Sequence, residues 1–353
     1  MSDSVQKSFT VRRVEGKRLQ GDARLSLISN STRSGTSLMP GHFVVASWDD
    51  RRKPLELIEA TGALPVADFI VFVPNADSSA LDLIEQAVTE QPEADLIVVC
   101  NPNDPARRSS LRGELPPLLS LLAASMTGDP AVAVSAKALR EQAASAPDGT
   151  GLQGLTMRVA VSGNVLFVES DSTTASPPRP WPSLTMSATG PRANRLRDCL
   201  VSLPLPTARP NSPDTVALRA GLLLLNDFFD ESHSCSQSME GQQNADYWHA
   251  ILHRREPDYG NAKYWFHHVG RHAIFGELAQ VVSSMFSRVT GSLAGQLERW
   301  QPRLITAGGW EPLAFVDLCE AAESDAELRT WCEEVQFVEM QLLLASTYRA
   351  AVG

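Results

Sequence analysis

The sequence predicts a chain of two parts, an α/β N-terminal domain with a small, mainly parallel sheet followed by an all-α helical domain. Three observations point there. Short apolar runs rich in β-branched residues, His42–Ala46, Asp68–Val73 and Asp95–Cys100, alternate with helical stretches, the pattern of βαβ units. A stretch rich in Ser, Thr and Pro follows between 172 and 213, and proline there removes backbone donors and stiffens the chain. From Asp214 onward apolar residues recur at helical spacing. The expected plan is a loosely ordered segment 1–35, an α/β domain 36–171, a linker 172–213 and a helical domain 214–353.

The elements follow in order. Phe9–Arg13 reads as a short strand within a polar, Ser- and Arg-rich N-terminus. After His42–Ala46, Pro54–Thr61 reads as helical, and Ser79–Glu90 places Leu81, Ile84 and Val88 on one side. Leu115–Met126 reads as a third helix before a strand at Ala131–Val134. Met157–Val161 and Val165–Glu169 read as an antiparallel hairpin around the turn Ser162-Gly163-Asn164. A short helix near Ala193–Leu203 interrupts the linker. Ser212-Pro213-Asp214 opens a helix with a serine cap, a proline at the first position and an early carboxylate. That helix is expected to run through Leu218, Leu222, Leu225 and Phe229. Ala273–Trp300 reads as one long helix. Ser324-Asp325-Ala326-Glu327 reads as a capping box opening the last, which carries Trp331, Val335, Val338 and Leu342 on one side.

Composition limits the function classes. Of 353 residues 43% are hydrophobic and 20% charged, enough to build packed cores, and the formal net charge is −10. That balance, with no concentrated Lys/Arg stripe, argues against nucleic-acid binding. Five dispersed cysteines without a CxxC pair fit a reducing compartment. The start of the sequence lacks the apolar stretch of a secretory signal, and no apolar run is long enough to span a bilayer. A soluble, cytoplasmic protein without nucleic-acid or membrane partners is expected.

The distinctive element is the stretch 246–272, DYWHAILHRREPDYGNAKYWFHHVGRH. Six of the seven histidines lie between His233 and His272, together with Tyr247, Trp248, Tyr259, Tyr264 and Trp265. Asp246–Glu256 reads as a helix, Pro257-Asp258-Tyr259-Gly260 as a break, and Asn261–Val269 as a second helix ended by Gly270. So short a loop predicts antiparallel packing. The segment Ala250–Gly270 resembles one unit of a Sel1-like or tetratricopeptide-type repeat, with its small residue in the first helix, Pro-Asp-Tyr-Gly loop, Ala262 and Trp265-Phe266 pair. One copy is visible, whereas such units bury their faces against stacked neighbours. The string WHAILHRREPDYGNAKYWF, with Trp310 and Phe315-Val316-Asp317-Leu318, also resembles a family of uncharacterised bacterial and fungal proteins. That resemblance covers roughly 215–345 and implies a shared helical domain without an activity. Asp104-Pro105-Ala106-Arg107-Arg108 and Leu115-Pro116-Pro117-Leu118-Leu119 are similar to the N-terminal part of lactate-racemase-like proteins, but no later His-based catalytic motif accompanies them.

Several residues there can carry chemistry. His249 and His253 are four apart and share a helix face, with Glu256 three further on. Asp230 and His233 are placed near the end of the preceding helix. If the faces meet, His233, His249 and His253 with a carboxylate can hold a divalent metal, as in helical-bundle metal sites. The alternative, favoured because HxxxH alone is common and the HExxH glutamate is missing, is that the histidines cap helices, stack on Trp248 and Trp265, or hydrogen-bond backbone within a polar core. Arg254, Arg255, Glu256 and Asp258 suggest an anion pocket, since the guanidinium fork suits carboxylate and phosphate, and Tyr259 and Trp265 are further ligand-binding candidates. The competing role for the arginines is an Arg–Glu pair that pins the hairpin loop. Ser232, Ser234 and Cys235 near His233 lack a G-x-S-x-G elbow. The loops Pro74–Asp77 and Asn101–Asp104 follow strands, where open α/β sheets bind ligands, but neither is a phosphate loop. With no complete catalytic motif and no cofactor specified, the leading expectation is a helical module acting as a protein-interaction or small-ligand-binding surface. The rival is a metal- or anion-dependent enzyme built on the His/Asp cluster.

Overall fold

The computed structural model describes residues 10–14, 27–29, 42–46, 69–72, 78–100, 131–146, 152–169, 182–186, 194–205, 207 and 209–352. The helices expected at Pro54–Thr61 and Leu115–Met126, both expected ligand loops and the lactate-racemase-like segment lie outside these residues. The described part is mostly helical, with a sheet in the N-terminal half. The chain divides into two compact units, one holding the described residues up to 169 and the other those from 182 onward.

Among the described residues the N-terminal unit contains seven strands: β1 (Thr10–Val14), β2 (Leu27–Ser29), β3 (His42–Ala46), β4 (Phe69–Phe72), β5 (Leu96–Cys100), β6 (Ala131–Ser135) and β7 (Val165–Glu169), in the spatial order β2-β1-β3-β4-β6-β5-β7. Helix α1 (Ser78–Glu90) sets Ile84, Ala87 and Val88 against Phe69, Val71, Ile97 and Val99 in one core. The sheet is mixed rather than mainly parallel. β1/β3, β3/β4 and β5/β7 pair parallel, whereas β1/β2, β4/β6 and β5/β6 pair antiparallel. Apolar runs mark buried strands but carry no direction, and β6 enters against both of its neighbours. Helix α2 (Ala136–Ser145) follows it at once, capped by Ser135.

The expected hairpin at 157–169 is also corrected. Met157–Val161 belongs to an eleven-residue helix, α3 (Leu152–Ser162), and β7 pairs with β5 instead. A short apolar run does not by itself distinguish strand from buried helix; here Leu155, Thr156, Met157, Val159 and Ala160 are all buried. Gly163 ends α3, its N–H donating to the Val159 carbonyl, and a Cβ there would lie 2.8 Å from Asp95 Cβ. Asp95 in turn accepts from Asn164 N at 2.9 Å, closing a helix-to-strand turn.

The C-terminal unit holds α4 (Asn194–Ser202), α5 (Pro213–Leu225), α6 (Phe229–Gln237), α7 (Gln243–Arg255), α8 (Tyr259–Val269), α9 (Phe275–Phe286), α10 (Ser292–Leu304), α11 (Pro312–Ala321) and α12 (Ala326–Val352). A two-residue pairing, β8 (Ile305–Thr306) with β9 (Gly309–Trp310), joins α10 to α11. Two expected helices are broken. α5 stops at Leu225 because Asn226 Nδ2 caps the Leu222 carbonyl and Asp227 turns the chain at φ 64°. The Ala273–Trp300 stretch becomes α9 and α10, separated at Gly291, whose φ of 75° favours glycine. Asp325, rather than Ser324, caps α12, accepting from the N–H groups of Glu327 and Leu328 at 3.0 Å. No helix among the described residues is long and apolar enough to cross a membrane.

Helix α7 occupies the centre. Every residue from Ala245 to Arg255 is buried, with α5, α6 and α8 packed around it. The α7–α8 hairpin is antiparallel, since Gln243 at the start of α7 donates to the carbonyls of Val269 and Arg271 beyond the end of α8, at 2.8 Å each. Asp258 caps α8 by accepting from Asn261 N at 3.1 Å. The approach of α5 to α7 rests on a missing side chain, because a Cβ on Gly221 would lie 2.5 Å from Trp248 Cε2. Trp248 is fully buried and its indole N–H donates to Thr347 Oγ1 on α12. Gly221→Ala therefore forces a shift of the tryptophan or of α5. A loss of about 1–3 kcal/mol, the usual penalty of overpacking, is expected in urea unfolding; a stabilised variant would contradict this close approach.

Candidate metal centre

A helix buried on all sides is normally apolar all round, yet α7 carries Asp246, His249, His253, Arg254 and Arg255, all buried. Each polar group taken out of water needs a partner, and α12 supplies those of Arg254. Arg254 Nη2 donates to Glu339 Oε2 at 2.5 Å, and Tyr247 Oη donates to Glu339 Oε1 at 2.9 Å. Gln336 Oε1 accepts from Arg254, whose guanidinium also lies 4.6 Å from the Phe315 ring centre. Burial works against the Arg254 charge, but Glu339 holds its pKa above the ordinary value. Arg255 Nη2 pairs with Asp227 at 2.6 Å, while its remaining donors reach the carbonyls of Leu224 and Ser183. Apart from Arg254 Nη1, which has no hydrogen-bond partner, the donors of both arginine forks end on internal acceptors. The expected anion pocket does not form around them, and Glu256 is not the acid that holds either one.

The histidines have a different fate. His233 on α6 and His249 and His253 on α7 bring three ring nitrogens within 4.8 Å of one another. The rings of His249 and His253 stack at 4.7 Å, as i, i+4 residues on one face, and His233 stands edge-on to both. Trp265 from α8 stacks on His249 at 4.0 Å. His253 is held at both ends, Nδ1 lying 3.0 Å from Glu256 Oε2 and Nε2 3.1 Å from Asn261 Nδ2. His249, 1% exposed, has no hydrogen-bond partner for either ring nitrogen. Burial, with His253 and His233 adding to it, pushes its pKa down to about 3. His249 is therefore neutral at physiological pH, the form in which imidazole ligates metals.

The structure brings His233, His249, His253 and Trp265 together, with Glu256 behind His253. Asp230 is not part of the group: it is exposed in the first turn of α6, where its carbonyl accepts from Ser234 Oγ. Tyr259 faces elsewhere, its hydroxyl donating to Glu323 Oε1 at 2.8 Å. Ser232 donates to the Ala220 carbonyl, and burial raises the Cys235 pKa, so neither is poised as a nucleophile. Asn261, Gln336 and Glu339 were not singled out in the sequence. Glu333, Gln336 and Glu339 recur at helical spacing among the apolar residues of α12, but nothing in that spacing names a partner more than eighty residues away.

No family model matches the chain, and neither the curated proteins nor the solved structures contain a significant match.

Two outcomes follow from these contacts. Glu339→Ala strips the Arg254 charge of its partner in a fully buried setting and should cost about 3–5 kcal/mol. A loss under about 1 kcal/mol in chemical denaturation would contradict the pairing. The second concerns His272, whose Nδ1 accepts from Ile274 N while Nε2 donates to Asn244 Oδ1, fixing the neutral form. Burial lowers its pKa to about 4 from an ordinary 6.5. Between those values the unfolded chain binds a proton that the folded chain refuses, so stability falls as pH drops through this window. The share of His272 has an upper limit of about 3.5 kcal/mol, at roughly 1.4 kcal/mol per pKa unit. Denaturation midpoints between pH 7 and pH 4 should show a shallower decline in His272→Leu; an unchanged slope would contradict the assignment.

Proposed function

We propose that the C-terminal helical unit is a metal-binding module in which His233, His249 and His253 ligate one divalent transition-metal ion. The observation that carries this reading is His249, a buried neutral imidazole with neither nitrogen satisfied. Leaving a buried polar group without a partner costs roughly 1–3 kcal/mol, and a metal ion on that ring turns the cost into a bond. Three imidazole ligands suit zinc, cobalt, nickel or copper rather than magnesium or calcium, which take oxygen donors. Tetrahedral bonds of about 2.0–2.1 Å place ligand nitrogens about 3.3 Å apart, so the triad closes inward from its present spread of up to 4.8 Å. Side-chain rotation on α6 and α7 supplies that closure. The small-ligand reading of the sequence thus becomes a metal ion. The enzyme reading shares the same centre, because three protein ligands with a fourth position left open is the ligand count of catalytic rather than structural zinc sites.

The experiment is a titration of chelator-treated protein with zinc by calorimetry and with cobalt by visible absorption. One equivalent per chain is expected, with uptake abolished in His249→Ala/His253→Ala. Metal at a hundredfold excess over Kd should raise unfolding stability by about 2.7 kcal/mol. No uptake by the wild-type chain, or full uptake by the double variant, sinks the proposal.

A further inference from the structure

His253 is a ligand with two usable nitrogens, and which one meets a metal depends on where its proton sits. Two independent contacts settle that. Glu256 Oε2, an acceptor, lies 3.0 Å from Nδ1, so Nδ1 carries the hydrogen and donates. Asn261 Nδ2, a donor, lies 3.1 Å from Nε2, so Nε2 presents its lone pair. The two partners flank the short connection between α7 and α8. Glu256 is the capping position that ends α7, and Asn261 stands in the first turn of α8, its own N–H held by Asp258.

We propose that Glu256 is the positioning residue of this centre and Asn261 its competitor: Glu256 holds the Nδ1–H of His253 so that Nε2 is the ligating atom, and Asn261 occupies Nε2 until a metal ion displaces it. The inference rests on the metal-binding reading above and extends it to the α7–α8 loop. A carboxylate on the far nitrogen orients the ring and makes the ligating nitrogen more basic, and loss of such a partner typically weakens metal affinity 10–100-fold. The two loop residues therefore act in opposite directions. Glu256 favours the bound state, whereas the amide of Asn261 must be given up on binding.

The test has two arms. In the first, ¹⁵N chemical shifts of the metal-free chain report the tautomer of His253; Nδ1–H is expected in the wild-type chain and a redistribution toward Nε2–H in Glu256→Ala. In the second, zinc and cobalt affinities are measured for the wild-type chain, Glu256→Ala, Glu256→Gln and Asn261→Ala, with unfolding midpoints confirming that each variant is folded. Glu256→Ala should bind about 10–100-fold more weakly. Glu256→Gln should recover part of the loss, since its amide oxygen still accepts from Nδ1–H. Asn261→Ala should bind up to about tenfold more tightly, because a competing hydrogen bond is gone; a residue that merely stabilised the hairpin would not produce that gain. Wild-type uptake with unchanged affinity in Glu256→Ala, or a His253 proton resident on Nε2, overturns the inference and leaves the metal centre standing. Absence of uptake by the wild-type chain overturns both.

Discussion

The C-terminal unit depends on one demanding arrangement, a helix sheathed on every side that nevertheless carries two arginines. Arg254 and Arg255 are both fully buried, and ionised groups persist in such surroundings only when paired and hydrogen-bonded. Glu339 and Gln336 meet the first, and Asp227 with two carbonyls meets the second. These contacts fix neighbouring parts of the chain. Glu339 ties α12 to α7, and it also takes the Tyr247 hydroxyl. Asp227 sits in the turn that ends α5 and stands at a positive φ, which aspartate tolerates better than most residues. Residues 182–186 are drawn in as well: the Ser183 carbonyl accepts from both Arg255 and Gln336, the Leu184 N–H donates to Glu333, and the Met186 N–H donates to the Arg255 carbonyl.

With one end of α7 locked in this way, the placement of its histidine face follows. The same helix that aims Arg254 at α12 presents His249 and His253 to His233 on α6 and to Trp265 on α8. The contrast between the faces matters. On the arginine side each guanidinium finds acceptors and only Arg254 Nη1 is left over, whereas on the histidine side one imidazole finds none for either nitrogen. A sequence selected for stability alone would place an apolar side chain at 249. An unsatisfied, neutral, stacked imidazole beside two others is the kind of local conflict expected at functional sites.

Much of this was legible in the sequence, and the misses have physical causes. The αα-hairpin was readable from its Pro-Asp-Tyr-Gly break and from Gly270, and the α5 start from Ser212-Pro213-Asp214, because caps and turns are local chemistry. Strand direction was not, since the apolar run of β6 is the same read either way. α3 passed for a strand because its buried run has no clear period. The long-range partners of the arginines were invisible, as pairing across more than eighty residues leaves no mark in a single sequence. The histidine group was half visible: i, i+4 spacing put His249 and His253 on one face, while Asp230 was taken for a member and Asn261 was missed. Asp230 lies on the exposed side of α6, whereas Asn261 reaches His253 only because the hairpin folds back on itself.

In the proposed centre, three imidazoles of α6 and α7 share one metal ion. X-ray absorption of the zinc-loaded chain counts them directly. A metal ion held by the triad gives a first shell of nitrogen and oxygen at about 2.0–2.1 Å, outer-shell scattering from three imidazole rings, and two rings in His233→Ala. A shell with no imidazole scattering, or one unchanged by removal of His233, would contradict it.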